Sequence, residues 1–331
     1  MVSSLEAGRI AQVAPDVEVL DPYELGLDEL IGTGRRWDEL EAELCARAAR
    51  RLGAQGLVVP GELPVAVADR LRADSVEVVP DQGEFIRRRR SKTEAELAGI
   101  RRAQSAADAG MAAAAELLRA GEPLTAEQVR ARIREVCADH GAPASEDIIV
   151  AGGPAGATGH EQGTGPLRPG SPIVIDIWPR DEVSTCFADM TRTFVVGSQP
   201  PPEVVAWHVL CGEALQRVYA ILRPGVTGRE LFEAACDVFE DGGELTQRTK
   251  PEGESLRDGF FHSLGHGVGL ETHEEPALGR SGSEPLVAGD VVAIEPGCYR
   301  HGYGGVRLED LALVTDDGYE RLTNFPYALE P

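Results

Sequence analysis

Apolar residues recur at three- and four-residue intervals over 37–52, with acids early and arginines late, which predicts a helix whose charges complement its dipole. Gly56-Leu-Val-Val-Pro60, an apolar helical stretch over 64–71 and the run 76–80 then predict strand, helix, strand. Residues 17–81 therefore read as a small α/β unit. The polar run Phe85-Ile-Arg-Arg-Arg-Arg-Ser-Lys92 breaks this pattern. A solvated linker or helix-opening segment is the expectation for it, with an anion site as the alternative. The domain boundary is placed here, giving a short N-terminal domain, 1–84, and a larger one, 85–331.

Beyond the boundary the pattern becomes repetitive. Ser91-x-x-Glu94 reads as a capping box opening a helix that runs through an alanine-rich stretch to Arg119, where Gly121 and Pro123 stop it. Thr125-x-x-Gln128 opens a second helix ending near His140-Gly141. The same grammar returns later: 202–222 is helical, Pro224-Gly225 breaks it, and Thr227-x-x-Glu230 opens a helix to about Glu240. Leu167-Arg-Pro-Gly-Ser-Pro-Ile-Val-Ile-Asp176 matches Leu286-Val-Ala-Gly-Asp-Val-Val-Ala-Ile-Glu295, each a glycine turn and an apolar strand ending in a carboxylate. A second acid follows each, Asp189 13 residues past Asp176 and Glu309 14 past Glu295. Both intervals suit a hairpin whose return strand comes back beside the first acid. Two copies about 119 residues apart are too few and too long for a solenoid, and predict two α/β halves about a pseudo-twofold axis.

Four carboxylates on apolar strands are costly to bury and repel one another. Any one alone could face solvent on an edge strand or pair with Arg192 or Arg307. Four at duplicated positions are better explained by a pair of divalent cations that would neutralise them. His160, His262, His266, His273 and His301 lie in the part of the chain that carries these acids. His262 and His266 stand four apart, as in a zincin helix, but no Glu follows His262 and Gly265, Gly267 and Gly269 oppose a helix. Gly279-Arg-Ser-Gly-Ser283 lacks the closing glycine of a nucleophile elbow, and no GxGxxG follows a strand. His140, His208 and His301 read as surface or packing residues.

Composition narrows the classes further. The 331 residues carry 32 Lys+Arg against 55 Asp+Glu, a formal net charge of −23, and only 5% aromatics, which argues against a nucleic-acid platform. Neither lysine, Lys92 nor Lys250, sits in a phosphate-binding loop. Six scattered cysteines with no CxxC pair read as reduced thiols of a cytoplasmic protein. The opening MVSSLEAGRI has no basic start and apolar run, so no secretory signal is expected, and no stretch reaches the ~18 apolar residues of a membrane helix.

From about residue 85 to the C-terminus, five motifs in order resemble those of the pita-bread metallopeptidases, the family of methionine aminopeptidases, Xaa-Pro aminopeptidases and Xaa-Pro dipeptidases (prolidases). The resemblance implies an α+β fold: a pita-bread catalytic domain with internal duplication, behind a small α/β N-terminal domain. It implies metal ligands at Asp176, Asp189, His266, Glu295 and Glu309, with Asp189 and Glu309 bridging two ions, Asp176 on one, and His266 with Glu295 on the other. His160, in Thr-Gly-His-Glu-Gln-Gly, matches the upstream substrate-contacting histidine. His262 and His273 match the pocket histidines, and Arg307 the arginine two residues before the last ligand.

An oxygen-rich set with one imidazole suits manganese first, with cobalt, iron or zinc as the alternatives. Two ions sharing a water would supply hydroxide near neutral pH. Glu295 would handle the proton, His273 would stabilise the oxyanion, and His160 and His262 would position the peptide. The chain departs from the family in two ways. The first two acids are 13 rather than 11 apart, with Trp178 where glycine is usual, and the N-terminal unit is short. The segment 85–94 and Ala-Asp-Met-Thr-Arg-Thr-Phe194 resemble the Xaa-Pro branch. The expectation is a cytoplasmic, homodimeric peptidase cutting before proline in dipeptides or short peptides. The alternatives are a methionine-aminopeptidase-like or other small-amide hydrolase, and a non-catalytic peptide-binding scaffold. A dipeptidase needs a cation for the product carboxylate, and no arginine is marked for it by sequence.

Overall fold

Two units separate along the chain, Met1–Arg87 and Arg88–Pro331. The computed structural model describes residues 4–14, 16–121 and 123–331. Met1, Val2 and Ser3, part of the opening segment read as lacking a secretory signal, lie outside the described residues. Among those described, no helix is long and apolar enough to cross a membrane.

In the first unit, α1 (Ser4–Val13) and α2 (Leu27–Ile31) precede α3 (Trp37–Arg51), β1 (Gly56–Val59), α4 (Val65–Ala73) and β2 (Glu77–Pro80). The parallel pair β1–β2 needs a crossover, which α4 provides. Helix α3 buries two stripes. Leu40 and Leu44 join Leu27 and Leu30 of α2, while Ala42, Ala46 and Ala49 join Val67 and Leu71 of α4.

Helix α5 (Gln82–Arg90) contains most of the basic run; Arg87, Arg88 and Arg89 are exposed, as expected of a solvated or helix-opening segment, and Arg90 and Lys92 depart from that expectation. Arg90 is buried: its Nε and Nη2 donate to Oδ1 and Oδ2 of Asp290 at 2.9 and 2.6 Å. The Lys92 ammonium pairs with Glu274, both side chains buried. These cations answer two acids that would otherwise be buried without a counter-charge. The next helix, α6 (Glu94–Arg119), is capped two residues later than expected. Thr93, not Ser91, accepts from the Glu96 amide, and the Glu96 carboxylate accepts from the Thr93 amide.

The second unit contains two matching halves. In the first, α6 and α7 (Ala126–Asp139) cover an antiparallel sheet of order β3-β4-β5, from β3 (Ile149–Gly152), β4 (Pro172–Ile177) and β5 (Met190–Val195). In the second, α8 (Pro202–Tyr219) and α9 (Gly228–Asp241) accompany β6 (Gly265–Gly267), β7 (Glu274–Leu278), β8 (Val291–Ile294), β9 (Gly297–Arg300), β10 (Gly304–Arg307), β11 (Asp310–Val314) and β12 (Tyr319–Arg321). The order is β12-β11-β8-β6-β7, antiparallel throughout, with β9–β10 a separate hairpin. Helix α8 stops three residues short of Leu222, because Ile221 and Leu222 turn to i→i−3 bonds with Val218 and Tyr219.

The duplication extends to single hydrogen bonds. The Leu167 amide donates to Leu124 O and the Leu286 amide to Val226 O, both at 2.8 Å. Gly170 and Gly289, at φ 78° and 96°, donate to Val196 O and Val314 O, both at 2.9 Å. These positive φ values are the reason each turn carries glycine.

Strand alternation explains how acids sit within apolar runs. On β4, Ile173, Ile175 and Ile177 pack under α6 and α7 with Met111, Ile133 and Phe194, so Asp176 faces the other way. On β8, Val292 and Ile294 pack with Phe232 and Phe239 of α9, which leaves Glu295 on the face of Val291 and Ala293.

Candidate metal centre

Register brings the acids together. In the β4–β5 pair Asp176 stands opposite Thr191, and Asp189 immediately precedes β5, two residues from Thr191 on the same face. In the β8–β11 pair Asp310 stands opposite Ile294, so the next step sets Glu309 opposite Glu295. Strand β6 pairs with β8 on its other side, with His266 opposite Ala293 and therefore on the face of Glu295. All nine residues singled out in the sequence line one cleft of about 1520 Å³: Asp176, Asp189, His266, Glu295, Glu309, His160, His262, His273 and Arg307.

Asp189, His266 and Glu309 each offer a ligand atom within 4.8 Å of the others. The His266 Nε2 lies 3.8 Å from Asp189 Oδ2 and 3.7 Å from Glu295 Oε1. His266 Nδ1 is 3.1 Å from Gly267 O. A hydrogen on Nδ1 leaves the Nε2 lone pair facing the two carboxylates. Burial, with His273 adding to it, lowers the His266 pKa to about 4, so the ring is neutral. That lone pair and the two carboxyl groups it faces are a donor set that a divalent cation between them would use.

The acids say the same. Burial first, then Glu309, Asp176 and Glu295, hold the Asp189 carboxyl well above its ordinary range against the pull of Arg307. Burial, then Asp176 and Glu295, do the same to Glu309, with Arg307 and Thr191 opposing. Burial pushes Glu295 up to about 8, with Arg307 opposing and Asp176 adding. Asp176 Oδ1 is buried with no hydrogen-bond partner, an orphan a cation would satisfy. The set therefore fits divalent ions, and Asp176, Asp189, His266, Glu295 and Glu309 are the residues that can hold them.

Because the Glu295 carboxyl, pushed up to about 8, holds its proton at neutral pH, metal must displace it. Titration of the metal-free protein with Mn²⁺ at pH 7 is expected to release protons, and apparent affinity to rise with pH up to about 8. Calorimetry in two buffers of different ionisation enthalpy measures this. Proton-neutral binding would contradict it.

Arg307 is buried and ties the site together. Its Nη2 pairs with Asp176 Oδ2, Nε donates to Thr191 Oγ1 at 3.2 Å, and Nη1 donates to Tyr299 Oη at 3.1 Å. Thr191 in turn donates to Glu309 Oε2 at 2.7 Å. Tyr299 Oη lies 3.0 Å from His262 Nε2, and His262 Nδ1 lies 2.7 Å from Ser263 O. Since the tyrosine oxygen accepts from Arg307, its hydrogen points to Nε2, and the Nδ1 hydrogen goes to the carbonyl. Burial, with Arg307 adding, takes the His262 pKa down to about 3 and keeps that ring neutral. The exposed His273 ring lies 4.1 Å from His266 and 6.4 Å from the exposed His160.

Gly265 lets β6 lie close against β8: a Cβ there would stand 1.9 Å from Ala293 O. Gly265→Ala is expected to cost about 1–3 kcal/mol and, by moving His266, to weaken metal binding. Thermal melts and a metal titration check both effects.

Three residues escaped the sequence reading. Tyr299 carries no motif, and Thr191 lies inside the Ala-Asp-Met-Thr-Arg-Thr-Phe194 motif without a role of its own; the signal for each is a strand position facing the acids. Arg280 lines the cleft, exposed and without an ion pair among the described residues. His208 is a packing residue, its Nε2 against Tyr327 O at 2.6 Å.

Residues 98–316 match the description Metallopeptidase family M24. The probable dipeptidase PepE of Mycobacterium tuberculosis is 33% identical over 270 residues, covering 81% of this chain and 64% of that protein. The Xaa-Pro dipeptidase of Pyrococcus furiosus is 34% identical over 238 residues, covering 70% and 62%. The chain thus matches just under two thirds of the length of these relatives. A solved Xaa-Pro dipeptidase from Bacillus anthracis superposes with a TM-score of 0.81 at 26% identity, covering 99% of this chain and 84% of that one. With this match across most of the 85–331 region, and with the duplicated α+β architecture in place, the chain belongs to metallopeptidase family M24 and has its pita-bread fold.

Proposed function

We propose that this chain is a peptidase with two divalent metal ions that hydrolyses the bond before proline in dipeptides and short peptide N-termini. The observation that carries this reading is the convergence of four acids and a neutral His266 in one cleft. When bound, the ions would lower the pKa of a water and polarise the scissile carbonyl.

The chain's own groups do the rest. Glu295 takes the proton of the attacking water and passes it to the leaving nitrogen, a task that matters most for a prolyl nitrogen, which has no hydrogen of its own. His273 donates to the carbonyl oxygen as charge develops there. His262, fixed by Tyr299 and Ser263, and His160 place the peptide around that bond. Phe261, ring to ring with Tyr299 at 4.8 Å, offers an aromatic wall for a prolyl ring. Arg280, in the same lining, suits the carboxylate of a dipeptide.

A panel of Xaa-Pro dipeptides, Xaa-Pro tripeptides and Met-Ala peptides against Mn²⁺-loaded protein tests the reading. Hydrolysis of the Xaa-Pro substrates, lost with chelator and restored by Mn²⁺, is the expected result. Cleavage of Met-Ala peptides alone would move the assignment to a methionine-aminopeptidase-like enzyme. Inert protein at full metal content would favour a peptide-binding scaffold.

A further inference from the structure

Next to the metal cleft is a second chamber of about 740 Å³. Asp147, Trp178 and Thr272 line both, so the two spaces join, and Trp178 stands at their junction. The register explains its place. Trp178 lies two residues past Asp176 on the same face, and continuing the β4–β5 pairing sets it opposite Asp189. The hairpin beyond it is braced. Arg180 bridges to Phe187, the Ala188 amide donates to Pro179 O at 3.0 Å, and buried Asp181 takes 2.9 and 2.8 Å bonds from Arg102.

The charges around this chamber are unequal. Asp181 is answered by Arg102. The one cation among the lining residues, Arg180, lies with its guanidinium 5.4 Å from the Phe187 ring centre and donates to Thr185 O at 2.9 Å. Asp147 and Glu182 are exposed carboxylates with no cationic partner among the described residues. Asp147 accepts a hydrogen bond from Ser145. Arg280 is at the other end of β7: Thr272 precedes that strand and Arg280 follows it. A dipeptide whose carboxylate lies toward Arg280 therefore has its first residue on the Trp178 side.

We propose that the second chamber receives the side chain of the substrate's first residue, and that Trp178 and Asp147 select a cationic one, lysine or arginine. This rests on the Xaa-Pro reading above. An indole face is the best aromatic partner for an ammonium or guanidinium, and a carboxylate beside it adds attraction for the same charge. Together they are expected to give about a tenfold preference over a neutral side chain of similar size.

The test uses the full chain and two readouts. Calorimetry on chelator-treated protein compares Lys-Pro, Arg-Pro, Leu-Pro and Glu-Pro, and kcat/KM on Mn²⁺-loaded protein compares the same four. Lys-Pro and Arg-Pro are expected to bind about tenfold more tightly than Leu-Pro, with Glu-Pro weakest. Trp178→Leu and Asp147→Asn should each lower the Lys-Pro to Leu-Pro ratio about threefold or more, and Asp147→Asn should bring Glu-Pro closer to Leu-Pro. Equal binding of all four, no binding of Lys-Pro, or a ratio that survives both substitutions overturns the proposal. Selective binding without hydrolysis would overturn the peptidase reading and leave the chamber standing. Hydrolysis without selectivity would do the reverse.

Discussion

Glu295→Gln is expected to fold and to lose turnover by about 10²–10⁴-fold, the range a positioned general acid–base supplies. The glutamine keeps the shape and the hydrogen-bonding reach of the carboxyl but cannot accept the proton of an attacking water. Stability should be unchanged or slightly higher in the metal-free protein. There the wild-type carboxyl is pushed up to about 8 by burial, and such a raised pKa makes stability fall as pH rises from about 4.5 towards 8. Removing the ionisable group removes that slope. Glu295 also faces His266 Nε2 at 3.7 Å, so metal affinity is expected to drop as well. The decisive measurement is therefore kcat on a Xaa-Pro dipeptide at full metal occupancy, with metal content measured on the same sample. Wild-type turnover in a fully loaded Glu295→Gln protein would remove Glu295 from the proton path.

Why this carboxyl stands out in the sequence, and other residues of the cleft do not, follows from where each residue's signal lies. Asp176 and Glu295 end apolar strands whose alternation puts their neighbours under helices, so an acid there breaks a local pattern that can be read directly. Asp189 and Glu309 follow at hairpin distance, and the matched turns at Gly170 and Gly289 mark the repeat. The burial of Arg90 and Lys92 is not legible in the basic run because their partners, Asp290 and Glu274, lie about 200 residues further on, beyond any local pattern. The expected capping box at Ser91 lies two residues early because Ser91 and Thr93 both precede a glutamate at the right interval, and only the backbone decides between them. Tyr299 is one aromatic in a short strand, and its tie to His262 and Arg307 is purely tertiary. Trp178 was visible as a departure from the family pattern, and the structure puts it in the lining of the cleft.

Arg192→Met is expected to cost the second unit about 3–5 kcal/mol, a fall in Tm of about 10 °C. The side chain is fully buried. Its Nη2 pairs with Asp310 Oδ1 at 2.9 Å and donates to Phe325 O at 2.7 Å. Nε donates to Pro326 O at 2.9 Å, and Nη1 to Thr191 O at 2.8 Å and Glu309 O at 2.6 Å. Methionine fills part of the volume but leaves two buried carbonyls, two part-buried ones and a buried carboxylate without these donors. Asp310 would keep the hydroxyls of Tyr219 and Tyr327, which limits the loss there, so the stripped carbonyls carry much of the cost at about 1 kcal/mol each. Two of them belong to Thr191 and Glu309, whose side chains meet in the metal cleft, so metal affinity should fall about 10–100-fold together with stability. Adding Asp310→Asn should recover part of the stability by removing the unpaired charge, but little of the metal affinity, because the Glu309 carbonyl stays unanchored. Melts and Mn²⁺ titrations of the two variants separate these effects. If Arg192→Met melted with the wild type and bound metal as tightly, this buried cation would not be what holds Glu309 in place.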